Sequence, residues 1–131
     1  MQVGLAMKSE FLTDLVIEEL QEEGIWQLEE PLKYSSRLLN LIVEAPMGFK
    51  TDFSSVPRVP IAYTFFGDRA HRESVIHDWL YSTGSVSRRM ADKVFLEAMK
   101  ARKKPWWTRW SMFAGVRLGG WKAWGDHRKK D

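Results

Sequence analysis

Apolar positions along the chain change their period once, near residue 50. Before that point they come in short runs with β-branched members. Phe11-Leu12-Thr13-Asp14-Leu15-Val16-Ile17 is the first such run. Ile25-Trp26-Gln27-Leu28-Glu29 alternates weakly, with Trp26 and Leu28 on one face, and Arg37-Leu38-Leu39-Asn40-Leu41-Ile42-Val43 is the strongest. The last is apolar enough to be buried on much of both faces. Gly24 punctuates an acidic turn at Glu22-Glu23, and Pro31 interrupts or ends the second run because proline cannot donate to a ladder. Short connections make the prediction a small antiparallel sheet, a meander. A helix over residues 9–22, suggested by Leu15, Glu18, Glu19 and Leu20, is the competing reading; strand is preferred.

Ala45-Pro46-Met47-Gly48 then turns the chain, and residues 49–60 read as a rigid loop. Pro57 and Pro60 fix their own φ and disfavour helix just before them. Beyond Gly67-Asp68, where Asp68 can serve as an N-cap, the period becomes helical. The first helix, 69–83, places Val75, Ile76, Trp79, Leu80 and Thr83 on one face and stops at Gly84. A second begins after Ser87 and turns Met90, Ala91, Val94, Phe95 and Ala98 inward. Pro105 opens a third, which carries Trp106, Trp110, Phe113, Ala114 and Leu118 and ends at Gly119-Gly120. Trp121 and Trp124 follow, and Arg128-Lys129-Lys130 reads as a frayed tail. The fold class is therefore α+β, a small N-terminal antiparallel sheet followed by three packed helices. One domain covers residues 1–131: mainly β to 48, a proline-bounded loop over 49–68, helices over 69–120 and a basic tail over 121–131.

Composition narrows the chemistry. A chain of 131 residues with 44% hydrophobic and 28% charged content suits one ordinary globular core. There is no cysteine, which excludes disulfides, thiolate metal sites and thiol catalysis. The N-terminal MQVGLAMKSE lacks the pattern of a secretory signal, and no run is long enough to span a membrane, so a soluble protein is expected. The net charge of +3 conceals an asymmetry. Residues 1–99 hold 10 Lys/Arg against 15 Asp/Glu, a net of −5; residues 100–131 hold 10 against 2, a net of +8. Five of the seven Trp lie in that basic segment. The plain reading is a terminal helix with an aromatic core face and a solvated cationic face. The sharper one is a surface for anionic lipid, nucleic acid or a partner protein.

Candidate chemistry centres on His77-Asp78-Trp79-Leu80-Tyr81 in the first helix. His77 and Tyr81, four apart, share a face with Glu73, whereas Asp78 lies about 100° round, with Ser74 and His71. Asp78 is thus badly placed to orient His77. Asp52, in the loop Thr51-Asp52-Phe53-Ser54-Ser55-Val56-Pro57, and Asp92, on the second helix, are the better partners. Together with Ser54, Ser55 and Tyr81 they would make a general acid/base site or a divalent-metal site. No H-E-x-x-H pattern supports a zincin. The structural alternative is a buried hydrogen-bond network pinning a loop to helices, with Asp52 capping its own turn. His71 and His127 read as surface histidines.

Thr51-Asp52-Phe53-Ser54-Ser55-Val56-Pro57, His77-Asp78-Trp79-Leu80-Tyr81 and Ala91-Asp92-Lys93-Val94-Phe95, in that order, resemble a family of short phage and prophage proteins. It is catalogued as domain of unknown function 1353, with T-D-F-A-S-V-P-like, H-D-x-L-Y and A-D-x-x-F motifs. The likeness runs from about 49 to 120 and takes in Val116-Arg117-Leu118-Gly119-Gly120. It implies a phage or prophage origin, in host cytoplasm or virion, and supplies no established activity. Its motif positions fall on Asp52, Ser54, Ser55, Pro57, His77, Asp78, Tyr81 and Asp92. Ser54 stands where alanine is common, which favours Ser55.

Two functions follow as expectations. One is a small hydrolase, metal-assisted or general-base, with Asp52, Ser55, His77, Asp78, Tyr81 and Asp92 as its site. The other is a non-enzymatic virion or assembly protein that docks on other virion proteins or on itself. Its surface would be Trp106, Trp107, Arg109, Trp110, Trp121 and Trp124. Nucleic-acid binding through the same segment is weaker, for no base-reading motif accompanies it.

Overall fold

A computed structural model describes residues 7–52 and 70–129. Six short strands come first: β1 (Glu10–Phe11), β2 (Ile17–Glu19), β3 (Trp26–Leu28), β4 (Leu32–Ser36), β5 (Leu41–Ala45) and β6 (Lys50–Thr51). They form two antiparallel sheets rather than one meander, ordered β1-β4-β5 and β2-β3-β6. Four described helices follow: α1 (His71–Thr83), α2 (Arg88–Ala101), α3 (Trp106–Gly119) and α4 (Trp121–Lys129). The α+β expectation holds. The predicted cap at Asp68 and most of the proline loop, including Ser54, Ser55, Pro57 and Pro60, lie outside the described residues.

Three strand expectations change. The run from Phe11 to Ile17 does not form one strand, because its two ends belong to different sheets and Thr13 spans the gap. Thr13 Oγ1 donates to the Pro31 carbonyl at 3.2 Å and accepts from the Lys33 amide at 2.9 Å. Pro31 precedes a strand as well as following one. Leu32–Ser36 is the central strand of its sheet, a role hidden by its Lys and Ser residues. The run Arg37–Val43 is divided by a turn, in which Asn40 adopts a left-handed φ of 55° and its amide bonds the Arg37 carbonyl. Its strand begins only at Leu41, and Leu41 and Ile42 are exposed rather than buried.

The core lies where β4 and β5 meet α1 and α2: Leu32, Tyr34, Val43 and Ala45 from the sheet, Val75, Ile76 and Leu80 from α1, and Ala91, Val94 and Ala98 from α2. A carboxylate fastens the sheet to α2. Glu97 accepts from Tyr34 Oη at 2.7 Å, Ser36 Oγ at 2.8 Å and the Leu38 amide at 2.7 Å. Burial and that bond to Glu97 push the Tyr34 phenol well above its ordinary pKa.

Helix ends follow the predicted signals. Gly84 takes a left-handed φ of 64° and its amide closes on the Leu80 carbonyl; Ser87 Oγ accepts from the Met90 amide and caps α2. The basic tail differs: residues 121–129 form a helix. Arg128 donates to the carbonyls of Tyr81 at 2.6 Å and Ser82 at 2.9 Å, satisfying orphan groups at the C-terminus of α1, and lies over the Trp124 ring at 4.4 Å. That part of the tail is docked, not frayed.

Candidate functional site

Helix α1 occupies the middle of the helical layer, with α2, α4 and the β4–β5 strands all packed against it. Its sequence is ordinary for a half-exposed helix, yet Glu73, Ser74, His77, Asp78 and Tyr81 are all buried along with Val75, Ile76 and Leu80. A polar group in that position must be hydrogen-bonded, since desolvation without a partner costs roughly 1–3 kcal/mol and more for a charge. The helix meets that demand by sending its polar residues in two directions.

His77 and Tyr81 face α2. Both converge on one oxygen of Asp92, with His77 Nε2 and Tyr81 Oη each 2.6 Å from Oδ1. The other oxygen, Oδ2, accepts from Arg117 of α3 at 2.7 Å and, more weakly, from Arg88 at 3.4 Å. Arg88 also reaches the backbone carbonyls of Val116 at 3.2 Å and Arg117 at 2.9 Å, at the end of α3. A single buried carboxylate therefore clamps α1, α2 and α3. Burial alone would raise the Asp92 pKa, but the bonds from His77, Tyr81 and Arg117 outweigh it and hold it below the usual carboxylate range. The same burial, with the Asp92 bond, drives the Tyr81 phenol well above its ordinary value.

Packing seals the cluster. His77 is wholly buried, its ring tilted against Tyr81 at 4.2 Å and Phe95 at 4.9 Å between centroids. Trp124 stands edge-on to Tyr81 at 5.2 Å. Above Tyr81 the backbone of Gly120 comes so close that a Cβ there would lie 2.6 Å from the phenol oxygen and 2.5 Å from the Val116 carbonyl. The pair Gly119-Gly120, readable in sequence as a helix stop, owes its second glycine to this contact.

Asp78 faces the other way. Its Oδ2 accepts a short hydrogen bond from Thr51 Oγ1, so the end of β6 is tied to α1. Asp78 Oδ1 is buried with no hydrogen-bond partner among the described residues. Glu73, one turn before His77, is buried with Lys104 Nζ 3.7 Å from its Oε2.

The predicted site thus separates into parts. His77, Tyr81 and Asp92 come together. Asp78 sits apart from them with Thr51, which reaches α1, and Asp52 is exposed. Ser55 lies outside the described residues. Sequence reasoning missed Arg88 and Arg117 as partners of Asp92. Arg88 was within reach of a simple signal, being four residues before Asp92 on one helix face; Arg117, on another helix, had none.

Chemically the arrangement is saturated. A carboxylate offers about four acceptor positions, and Asp92 has a donor at each of them. With those positions occupied by donors, its oxygens are not open to coordinate a cation. Among the described residues, no three His, Asp or Glu side chains gather as a metal site would require.

The aromatic residues of α3 and α4 are disposed in the opposite sense. Thr108, Met112 and Val116 make the buried face of α3. Trp106, Trp110 and Leu118, placed by periodicity on one apolar face with Phe113 and Ala114, are 64%, 53% and 81% exposed; Trp107 is 41% and Trp121 66% exposed. Trp124 alone among these indoles packs on the core, beside Tyr81. Arg109 turns back to the Lys104 carbonyl at 2.8 Å. The aromatic-inward reading of this segment therefore holds for Phe113 and Trp124 and fails for Trp106, Trp110 and Trp121. No described helix is long and apolar enough to cross a membrane.

No curated protein and no solved structure matches the chain. The model of one family, described as Protein of unknown function (DUF1353), matches residues 26–116, from β3 to near the end of α3. That span holds Thr51, His77, Asp78, Tyr81, Arg88 and Asp92, stops one residue short of Arg117, and covers well over half of the sequence: the chain belongs to this family of unknown function.

Proposed function

We propose that the protein is a phage- or prophage-encoded assembly component without catalytic activity, that its His/Asp cluster is a structural clamp, and that its working surface is the aromatic, basic face of α3 and α4. The observation that carries this reading is the outward stripe of Trp106, Trp107, Trp110, Leu118 and Trp121. Burying such side chains is worth roughly 1.5–3 kcal/mol each, and large exposed apolar patches mark interaction sites. The saturation of Asp92 supports the same reading from the other side. A hydrolase would need that carboxylate, or His77, open to water and substrate, and both are buried. Asp78, the other buried aspartate of the cluster, is tied to Thr51 and not to His77.

Particle yield separates the two functions. A phage or prophage lacking the gene is complemented with wild type, with folded His77→Gln, or with Trp110→Glu/Trp121→Glu. The docking reading expects His77→Gln to support particle formation in proportion to the folded protein present, and the double Trp variant, though folded, to fail. A hydrolase gives the reverse pattern.

A further inference from the structure

The α3–α4 face has a composition more specific than that of a generic docking surface. Trp106, Trp107, Trp110, Ala114 and Leu118 fall within an arc of about 120° on a helix, on the side away from Thr108, Met112 and Val116. Trp121 extends the stripe onto α4, across a junction where the Gly120 amide still bonds the Val116 carbonyl and the Trp124 amide the Gly120 carbonyl. At roughly 250 Å² for a whole Trp, the exposed parts of the four indoles amount to on the order of 500 Å². That alone matches the largest apolar patch a typical monomer shows. Helix α3 is thus apolar on both faces, which in a surface helix calls for a second apolar phase.

Charge says which phase. No Asp or Glu occurs between residues 100 and 125, while exposed Lys100, Arg102 and Lys103 precede the stripe and exposed Lys122 and Lys129 follow its start on α4. The two cations inside α3 are engaged elsewhere, Arg109 with the Lys104 carbonyl and Arg117 with Asp92. Apart from Arg117, which shares the arc but is drawn to Asp92, cations therefore bracket the apolar stripe instead of alternating with it. A second copy of this face would oppose like charges. A nucleic-acid strand needs cations interleaved with its stacking platforms, and Ala114 and Leu118 stack on nothing. A bilayer surface asks for what is present: indoles at the headgroup level, aliphatic side chains below them and Lys/Arg at the ends of the helix.

We infer that the α3–α4 face docks in the plane of an anionic lipid bilayer, with Trp106, Trp110, Leu118 and Trp121 inserted at the interface and Lys103 and Lys122 on the headgroups. This rests on the docking reading above and supplies its partner.

The test is co-sedimentation of the full chain with vesicles of phosphatidylcholine and phosphatidylglycerol at 3:1, against vesicles of phosphatidylcholine alone, with tryptophan emission read in parallel. Binding at least tenfold tighter to the anionic vesicles and a blue-shifted emission are expected. Leu118→Glu, at the most exposed position, and Trp110→Glu/Trp121→Glu lower the affinity at least tenfold while the melting temperature stays put. Lys103→Gln and Lys122→Gln each weaken binding roughly fivefold, an effect that fades as salt is raised. Equal affinity for both vesicle types, or none for either, overturns the inference, as does tight binding to an oligothymidine or salt-resistant self-association through this face. If vesicles fail to bind while the double Trp variant still abolishes particle yield, docking stands with a protein as partner; if that variant complements fully, both fall.

Discussion

Helices α1 and α3 are nearly equal in length and stand in the same bundle, yet they dispose of their side chains in opposite ways. In α1 His77, the acidic residues and the tyrosine are inside, each given a partner from another element. In α3 the tryptophans are outside and a threonine is in the core. The difference teaches that partners supplied from other elements, Asp92 above all, let a polar helix become central. A polar residue can be buried at little net cost when its partners are supplied, and Asp92 supplies two of them at one oxygen. Once α1 is enclosed by α2, α4 and the sheet, α3 is left at the periphery with more apolar surface than its neighbours can cover.

Variants that attack the enclosed side have the largest expected effects. Asp92→Ala leaves Arg117 and the His77–Tyr81 pair without their shared acceptor, and breaking such a buried pair costs roughly 3–5 kcal/mol. The urea unfolding midpoint should fall accordingly, and a loss below about 1 kcal/mol would mean that the clamp is incidental. Gly120→Ala drives a methyl into the Tyr81 hydroxyl and the Val116 carbonyl; overpacking of this kind costs about 1–3 kcal/mol, readable in the same experiment.

The pH profile sharpens the point. The Asp92 carboxyl is held below the ordinary aspartate value of 3.8, so its stabilisation is intact above that value and disappears only as the pH drops through the lower folded-state pKa. Tyr81 is raised from 10.0: its contribution is intact below that value and is lost as the pH climbs towards the folded-state pKa. Stability measured across pH should therefore lose these contributions only at the acid and alkaline extremes. In Asp92→Asn the acid limb should flatten. An unchanged acid limb in that variant would assign the effect to other carboxylates.

Smaller effects are expected at the margin between the two helices. Arg128→Ala removes the cap on α1 and the contact with Trp124, worth about 1–2 kcal/mol together. Leu118→Glu, outside the core, should change stability by less than about 0.5 kcal/mol. A larger loss in the latter would place the α3 stripe inside the folding core after all.

These contrasts also explain what could be read without coordinates. The helices over 71–83, 88–101 and 106–119, the Ser87 cap and the Gly84 stop all rest on local signals within a few residues, and they were legible. So was the exclusion of Asp78 as the partner of His77, because it needs only the angular spacing of a helix; between Asp52 and Asp92 no local pattern decides. The outward turn of Trp106 and Trp110 was not legible: apolar period identifies a stripe, not what it faces. Neither was β4, whose Lys33, Ser35 and Ser36 are accepted because the sheet and Glu97 satisfy them. Arg117 met Asp92 across 25 residues, through a helix packing that no local pattern encodes.

Solvent access at His77 bears most directly on the central claim. Diethyl pyrocarbonate labelling of the native protein, read by mass spectrometry, compares it with His71, which is exposed, and with half-buried His127. A sealed clamp predicts that His71 is modified rapidly, His127 more slowly, and His77 only when the protein unfolds. Modification of His77 at the rate of His71, in protein whose fold is intact, would show that the cluster is open to small molecules and would contradict the account.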